Sequence, residues 1–212
     1  MLRGALTMGQ RTRQQDPHHV IVIAGASGCG KTHLIRRMSQ RPHDAFVTTI
    51  LKQLKCDPHQ RLKRSTVERL QRLMDPTNPK KRKKRKLKHC LLVHIDLTSI
   101  NHRSNLRLLH HIATRAKRFD VLTLYAPPQE WRTRILHRLH SDDEPSMRAA
   151  LIALSAHLSK KLSSALYHRE YKKWFEEIKQ FKTDYSCNLN GFSETILTEI
   201  PPKVKTSSTS KA

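Results

Sequence analysis

Residues Gly25-Ala26-Ser27-Gly28-Cys29-Gly30-Lys31-Thr32 match the pattern G-x-x-x-x-G-K-[ST] in full. These residue types at this spacing hold the phosphates of a nucleoside triphosphate. The glycines let successive backbone N–H groups converge on phosphate oxygens. Lys31 brings a positive charge on a long stem to the β- and γ-phosphates, and the Thr32 hydroxyl is placed to bind Mg²⁺. A helix starting here adds the positive end of its dipole. The alternative, a glycine-rich turn without a ligand, fits the flanks poorly. Val20–Ala24 is an unbroken apolar run before the loop, and Leu34, Ile35 and Met38 follow at helical spacing.

Asp96 closes a second apolar run, Cys90-Leu91-Leu92-Val93-His94-Ile95. A carboxylate at the end of a parallel strand lies on the same sheet edge as the loop. Three roles fit it: orienting Mg²⁺, taking a proton from an acceptor hydroxyl, or capping a turn with Ser99 and Asn101 nearby. The residue after it is Leu97, so the acidic pair that motor-type ATPases tend to show is absent. Beyond Tyr125-Ala126-Pro127-Pro128 come Arg132, Arg134 and Arg138. Arg134 and Arg138 share one helical face and can neutralise charge on a transferring phosphoryl group; a solvated basic face is the plain alternative.

Elements that position these groups follow from periodicity. Val20–Ala24 reads as a strand buried on both faces, and a helix runs from Lys31 to Gln40, stopping before Pro42. Ala45–Leu51, rich in β-branched residues, reads as a second strand. Asp57–Met74 reads as one or two basic amphipathic helices on Leu62, Val67, Leu70 and Leu73. Cys90–Asp96 and Phe119–Tyr125 are strands, with a helix over Asn105–Arg118 between them. Trp131–Leu139 and the stretch Pro145–Phe181 are helical, and Glu194–Thr198 forms a last strand. On the long helix Tyr167, Tyr171, Trp174 and Phe175 read as core packing. Alternating strands and helices imply an α/β fold with a mostly parallel sheet covered on both faces.

The 212 residues suffice for one α/β domain and are short for two. Residues 1–19 read as a leader, 20–200 as the domain with a basic insert at 75–88, and 201–212 as a Ser/Thr/Lys tail that cannot pack. Net charge is +24, which attracts polyanions: nucleic acid, acidic membrane surfaces or phosphorylated substrates. The block Lys80–Lys88 concentrates it. Pro79–Lys83 is similar to a nuclear import signal, the block can grip RNA or DNA without sequence preference, and a solvated loop is the third reading. No apolar run reaches the roughly 20 residues of a membrane span, and the first 19 residues lack a secretory core. The expected location is cytoplasmic, or nuclear in a eukaryote.

Cys29, Cys56, Cys90 and Cys187 form no C-x-x-C pair, so neither a disulfide framework nor a zinc site is expected. Cys29, inside the loop, is expected to make nucleotide binding sensitive to alkylation. The histidines show no metal spacing.

Taken together, Gly25–Thr32, the strand ending at Asp96 and the strand Val121–Tyr125 followed by Trp131-Arg132-Thr133-Arg134 resemble the kinase-type phosphate-loop NTPases. The resemblance covers Val20 to Leu139 and implies a three-layer fold and transfer of phosphoryl from Mg²⁺-ATP. It implies catalytic roles for Lys31, Asp96, Arg134 and Arg138 and metal contacts at Thr32 and Asp96. The chain departs from that group in lacking an Asp-Arg acceptor signature and in carrying the basic insert. The donor is therefore indicated and the acceptor is not. An NTPase associated with nucleic acid, or a nucleotide-dependent binding protein, is the competing reading. A guanine-reading N-K-x-D motif is absent, which favours ATP.

Overall fold

The computed structural model describes residues 19–40, 44–56, 61–74, 89–97, 102–139, 164–191 and 196–197. Residues 1–18 of the leader, the insert at 75–88 with its Lys80–Lys88 block, the tail at 201–212 and the first part of the long helical stretch lie outside the described residues, while His19, read as the leader's last residue, belongs to the first strand.

Six strands form one sheet in the order β2-β3-β1-β4-β5-β6. The strand at its centre is β1 (His19–Gly25), every residue of which is buried. It pairs in parallel with β3 (His89–Asp96) on one side and β4 (Arg118–Tyr125) on the other. A strand covered on both faces must be apolar throughout, which is why Val20–Ala24 and Leu91–Val93 carry no polar residue. At one edge, β2 (Arg61–Ser65) pairs in parallel with β3; toward the other, β5 (Tyr185–Asn190) pairs in parallel with β4, and β6 (Ile196–Leu197) runs antiparallel to β5.

Helices α1 (Lys31–Gln40), α2 (Ala45–Gln53), α3 (Val67–Met74), α4 (His102–Arg115), α5 (Pro128–Leu139) and α6 (Ser164–Ile178) cover the sheet. Each described amphipathic face enters one continuous core: Leu34, Ile35 and Met38 from α1, Leu106, Leu109 and Ile112 from α4, and Tyr167, Tyr171, Trp174 and Ile178 from α6. This is the three-layer α/β arrangement expected of a phosphate-loop NTPase. No helix among the described residues is long and apolar enough to cross a membrane.

Three local expectations are corrected. Ala45–Leu51 is helix, not strand. Asp44 caps it by accepting from the Phe46 and Val47 amides at 3.0 and 3.1 Å, and Val47, Ile50 and Leu54 are buried at a spacing of three and four. That spacing outweighs the β-branched composition. Within the predicted basic helix of 57–74, Arg61–Ser65 is an edge strand and only Val67–Met74 is helical. Parallel pairing with β3 satisfies backbone groups there, a gain that an exposed basic sequence does not advertise. The strand Tyr185–Asn190 was not anticipated; its Ser and Asn positions hide it.

Candidate functional site

Strand order reverses at β1, with β3 on one side and β4 on the other, so a crevice opens at the carboxyl ends of these strands. The turn 26–30 between β1 and α1 lies there. Gly28 and Gly30 adopt φ of +89° and +98°, a region that side chains disfavour. Space is tight at Gly28, where a Cβ would stand 2.9 Å from Ile135 Cδ1, while at Gly30 a Cβ would meet Arg134 Nη1 only in ordinary contact, at 3.9 Å. Helix α5 thus packs directly over the loop. The Trp131 indole N–H, from that same helix, donates to the Ser27 carbonyl at 2.7 Å.

Lys31 opens α1 and is buried, its ammonium donating to the carbonyls of Gly25 at 2.7 Å and Ala26 at 2.6 Å. Asp96 Oδ2 lies 3.8 Å from the same ammonium. Parallel register sets Gly25 opposite Asp96, and the Leu97 amide donates to the Gly25 carbonyl at 3.1 Å. The sequence separation of Lys31 and Asp96 is therefore closed by two adjacent strands. The ammonium rests on two neutral acceptors and one distant carboxylate, an arrangement that a polyanion can take over. Asp96 is 27% exposed and so open to solvent and to a ligand at the loop. Thr32 is exposed in the first turn of α1, where backbone N–H groups have no intrahelical partner.

Arg132 and Arg134 are exposed on α5, and the Arg134 guanidinium lies beside the loop, near Gly30. Arg138 is on the same helix, and its side chain lies outside the described residues. Cys29, within the loop, is fully buried, and burial pushes its thiol up from the ordinary value. The expected sensitivity to alkylation is corrected accordingly: a protonated thiol without solvent access reacts slowly.

The aromatic stripe of α6 is core, as its spacing suggests, yet two hydroxyls reach into the site. Tyr171 accepts from the Ala26 amide at 3.0 Å and donates to the Leu124 carbonyl at 2.5 Å. Tyr167 accepts from the Ala126 amide at 3.1 Å and donates to the Ala126 carbonyl at 2.8 Å. They tie the first residue after β1 to the end of β4. The only sequence cue was that Tyr, where a Phe would pack as well, carries a polar tip needing a partner. Gly191 was also missed. Its amide donates to the Tyr125 carbonyl at 2.8 Å, and a Cβ there would collide with the Cys29 carbonyl.

Burial, its main influence, holds the pKa of His102, at the start of α4, below the ordinary value. Beside Gly30, a shallow groove lies between α1, α2 and the end of β5, with Phe46, His33 and Leu189 on its walls. The Arg37 guanidinium stands 5.6 Å from the centre of the Phe46 ring there.

The family described as an AAA domain matches residues 20–159, more than half of the chain. No curated protein matches the sequence. Among solved structures the chain is similar to one from the PezAT toxin–antitoxin system of Streptococcus pneumoniae, at 12% identity and a TM-score of 0.43, covering 91% of this chain and 75% of that one. It is similar to shikimate kinase from Bacteroides thetaiotaomicron at 12% identity and a TM-score of 0.29, over 82% and 86% of the two chains. Kti12 from Chaetomium thermophilum, solved with ADP-AlF3, is similar at 13% identity and a TM-score of 0.33, over 75% and 98%.

Proposed function

Because the chain belongs to the AAA domain family and has the phosphate-loop kinase-like fold, we propose that it binds Mg²⁺-ATP and transfers the γ-phosphoryl group to an acceptor. The observation that carries the reading is the Lys31 ammonium, seated on the Gly25 and Ala26 carbonyls with Asp96 at 3.8 Å. That cation is pre-positioned at the mouth of a loop whose glycines leave room for phosphate.

The residues fit the nucleotide and its ion. Lys31 would release the loop carbonyls and pair with the β- and γ-phosphates. Backbone N–H groups at the start of α1 would complete the cradle. Thr32 and Asp96 would hold Mg²⁺, which when bound supplies charge neutralisation to the phosphates. Arg134 would stabilise charge on the transferring group, with Arg138 one turn further along α5. The nucleoside would extend past Gly30 toward Phe46, whose ring supports stacking of the base. Most of the rate would come from positioning and electrostatics, with no covalent enzyme intermediate.

The domain assignment of residues 20–200, with a leader, an insert and a tail, belongs to this proposal, as does a cytoplasmic location. The charge of +24 favours a second reading, an NTPase that acts on or with nucleic acid. ATP consumption by the full chain, measured across a panel of small metabolites and then of polynucleotides, separates the two. A small acceptor that raises turnover and appears phosphorylated supports the kinase. Stimulation by polynucleotide alone, lost with rising salt, supports the second reading. Lys31→Ala is expected to lose nucleotide binding and turnover in either case, and wild-type turnover in that variant refutes the loop assignment.

A further inference from the structure

At the other edge of the sheet, six residues and roughly 20 Å along β1 from the phosphate loop, the fold gathers a second set of chemical groups. His19 begins β1, Cys90 lies near the start of β3 and pairs with it in register, and Cys56 follows α2. One donor atom from each, the imidazole nitrogen and two sulfurs, lies within 4.8 Å of the others. We propose that His19, Cys56 and Cys90 form a zinc site that ties the amino-terminal edge of the sheet to the segment after α2.

Two features beyond proximity support it. The first is the orientation of the ring. His19 Nε2 and Asp120 Oδ2 are 2.6 Å apart, and Asp120 is wholly buried, so Nε2–H donates to the carboxylate and Nδ1 is the nitrogen left to meet an ion, which displaces any proton there. Nδ1 is the nitrogen that faces Cys56, at 3.9 Å from its Sγ. A carboxylate that fixes the tautomer from behind is the usual support of a zinc-bound histidine. A tetrahedral ion with bonds of about 2.3 Å to sulfur and 2.0 Å to nitrogen sets those ligands about 3.6 Å apart, so a small rotation closes the gap.

The second is charge. Two thiolates balance Zn²⁺, and Asp120 is separately matched by Arg118, whose Nε donates to Oδ2 at 2.9 Å. The ion would enter this buried edge without leaving net charge. Two sulfurs and one imidazole suit Zn²⁺ better than the hard ions Mg²⁺ and Ca²⁺. A scan for closely spaced cysteines misses the set, because His19 and Cys56 are 37 residues apart and only strand pairing brings in Cys90.

The full chain, reduced and freed of metal, is titrated with Co²⁺ and then Zn²⁺. One equivalent of Co²⁺ should give the visible bands of a tetrahedral ion and a thiolate charge-transfer band in the near ultraviolet, both erased by one equivalent of Zn²⁺. Cys56→Ser, the half-buried ligand, should lose the charge-transfer intensity of one sulfur while keeping its circular dichroism. Cys187→Ser should bind as the wild type does. Asp120→Asn should weaken Zn²⁺ about 10- to 100-fold with the bands retained. Absence of a stoichiometric site in the folded wild type overturns the proposal, and so does unchanged charge transfer in folded Cys56→Ser. The wild-type titration decides the matter even if the buried variants fail to fold.

Discussion

Replacing Tyr171 by Phe removes one oxygen and leaves the ring, so it tests the link between α6 and the phosphate loop with little change in packing. The hydroxyl accepts from the Ala26 amide at 3.0 Å and donates to the Leu124 carbonyl at 2.5 Å, all within the buried core. An amide has a single proton to give, so Ala26 loses that partner where water does not reach. An orphaned buried donor costs about 1–3 kcal/mol, and the lost bond to the carbonyl adds about 1 kcal/mol. A total near 3 kcal/mol in a chain of this size corresponds to a fall in Tm of roughly 6–12 °C. The same freed amide is the first of the turn proposed to cradle phosphate, so ATP should also bind several-fold more weakly. Differential scanning calorimetry and a nucleotide titration measure the two effects. A Tm within about 1 °C of wild type would refute the reasoning, because it would mean that water already satisfies the Ala26 amide.

Gly28→Ala should lower stability by about 1–2 kcal/mol from its φ of +89°, with further loss as Ile135 is pushed from 2.9 Å, read by urea denaturation. Arg134→Ala should reduce kcat by about 100-fold with little change in KM, because the guanidinium is assigned to charge that develops during transfer. Phe46→Ala should raise the dissociation constant of ATP about fivefold while its effect on inorganic triphosphate binding is slight, since only the base would stack on the ring. Acid should destabilise the fold. Burial lowers the pKa of both His102 and His168, so the native state binds fewer protons than the unfolded chain below about pH 6.5. Their contribution is therefore present above pH 6.5 and declines as pH falls, more steeply for His102 than for the more open, solvent-screened His168. His168→Gln should flatten the dependence of the urea midpoint between pH 6.5 and 5; an unchanged slope would exclude His168 as a cause.

Central strands and the loop were legible because burial on both faces demands uninterrupted apolar runs, and β1, β3 and β4 show them. Helices α1, α4 and α5 were legible from apolar residues three and four apart. Errors fell where a second force decided. In Ala45–Gln53 the Asp44 cap and the buried set Val47, Ile50 and Leu54 prevailed over β-branched composition. Arg61–Ser65 and Tyr185–Asn190 are strands because a neighbouring strand offers them partners, and that is not a local property. For the candidate site, Gly25–Thr32 and Asp96 were readable one by one. The hydrogen bonds of Tyr171 and Trp131 to the loop span separations of 145 and 104 residues, which no periodicity encodes.

By itself the sequence determined a G-x-x-x-x-G-K-[ST] loop between a strand and a helix, because that pattern and its apolar flanks are written in immediate succession. Only the tertiary structure decided what surrounds it. The sheet order β3-β1-β4 draws Asp96 to Lys31 at one edge and Cys90 to His19 at the other. Parallel register makes neighbours of residues that are distant in the chain, and their chemistry begins only where those neighbours meet.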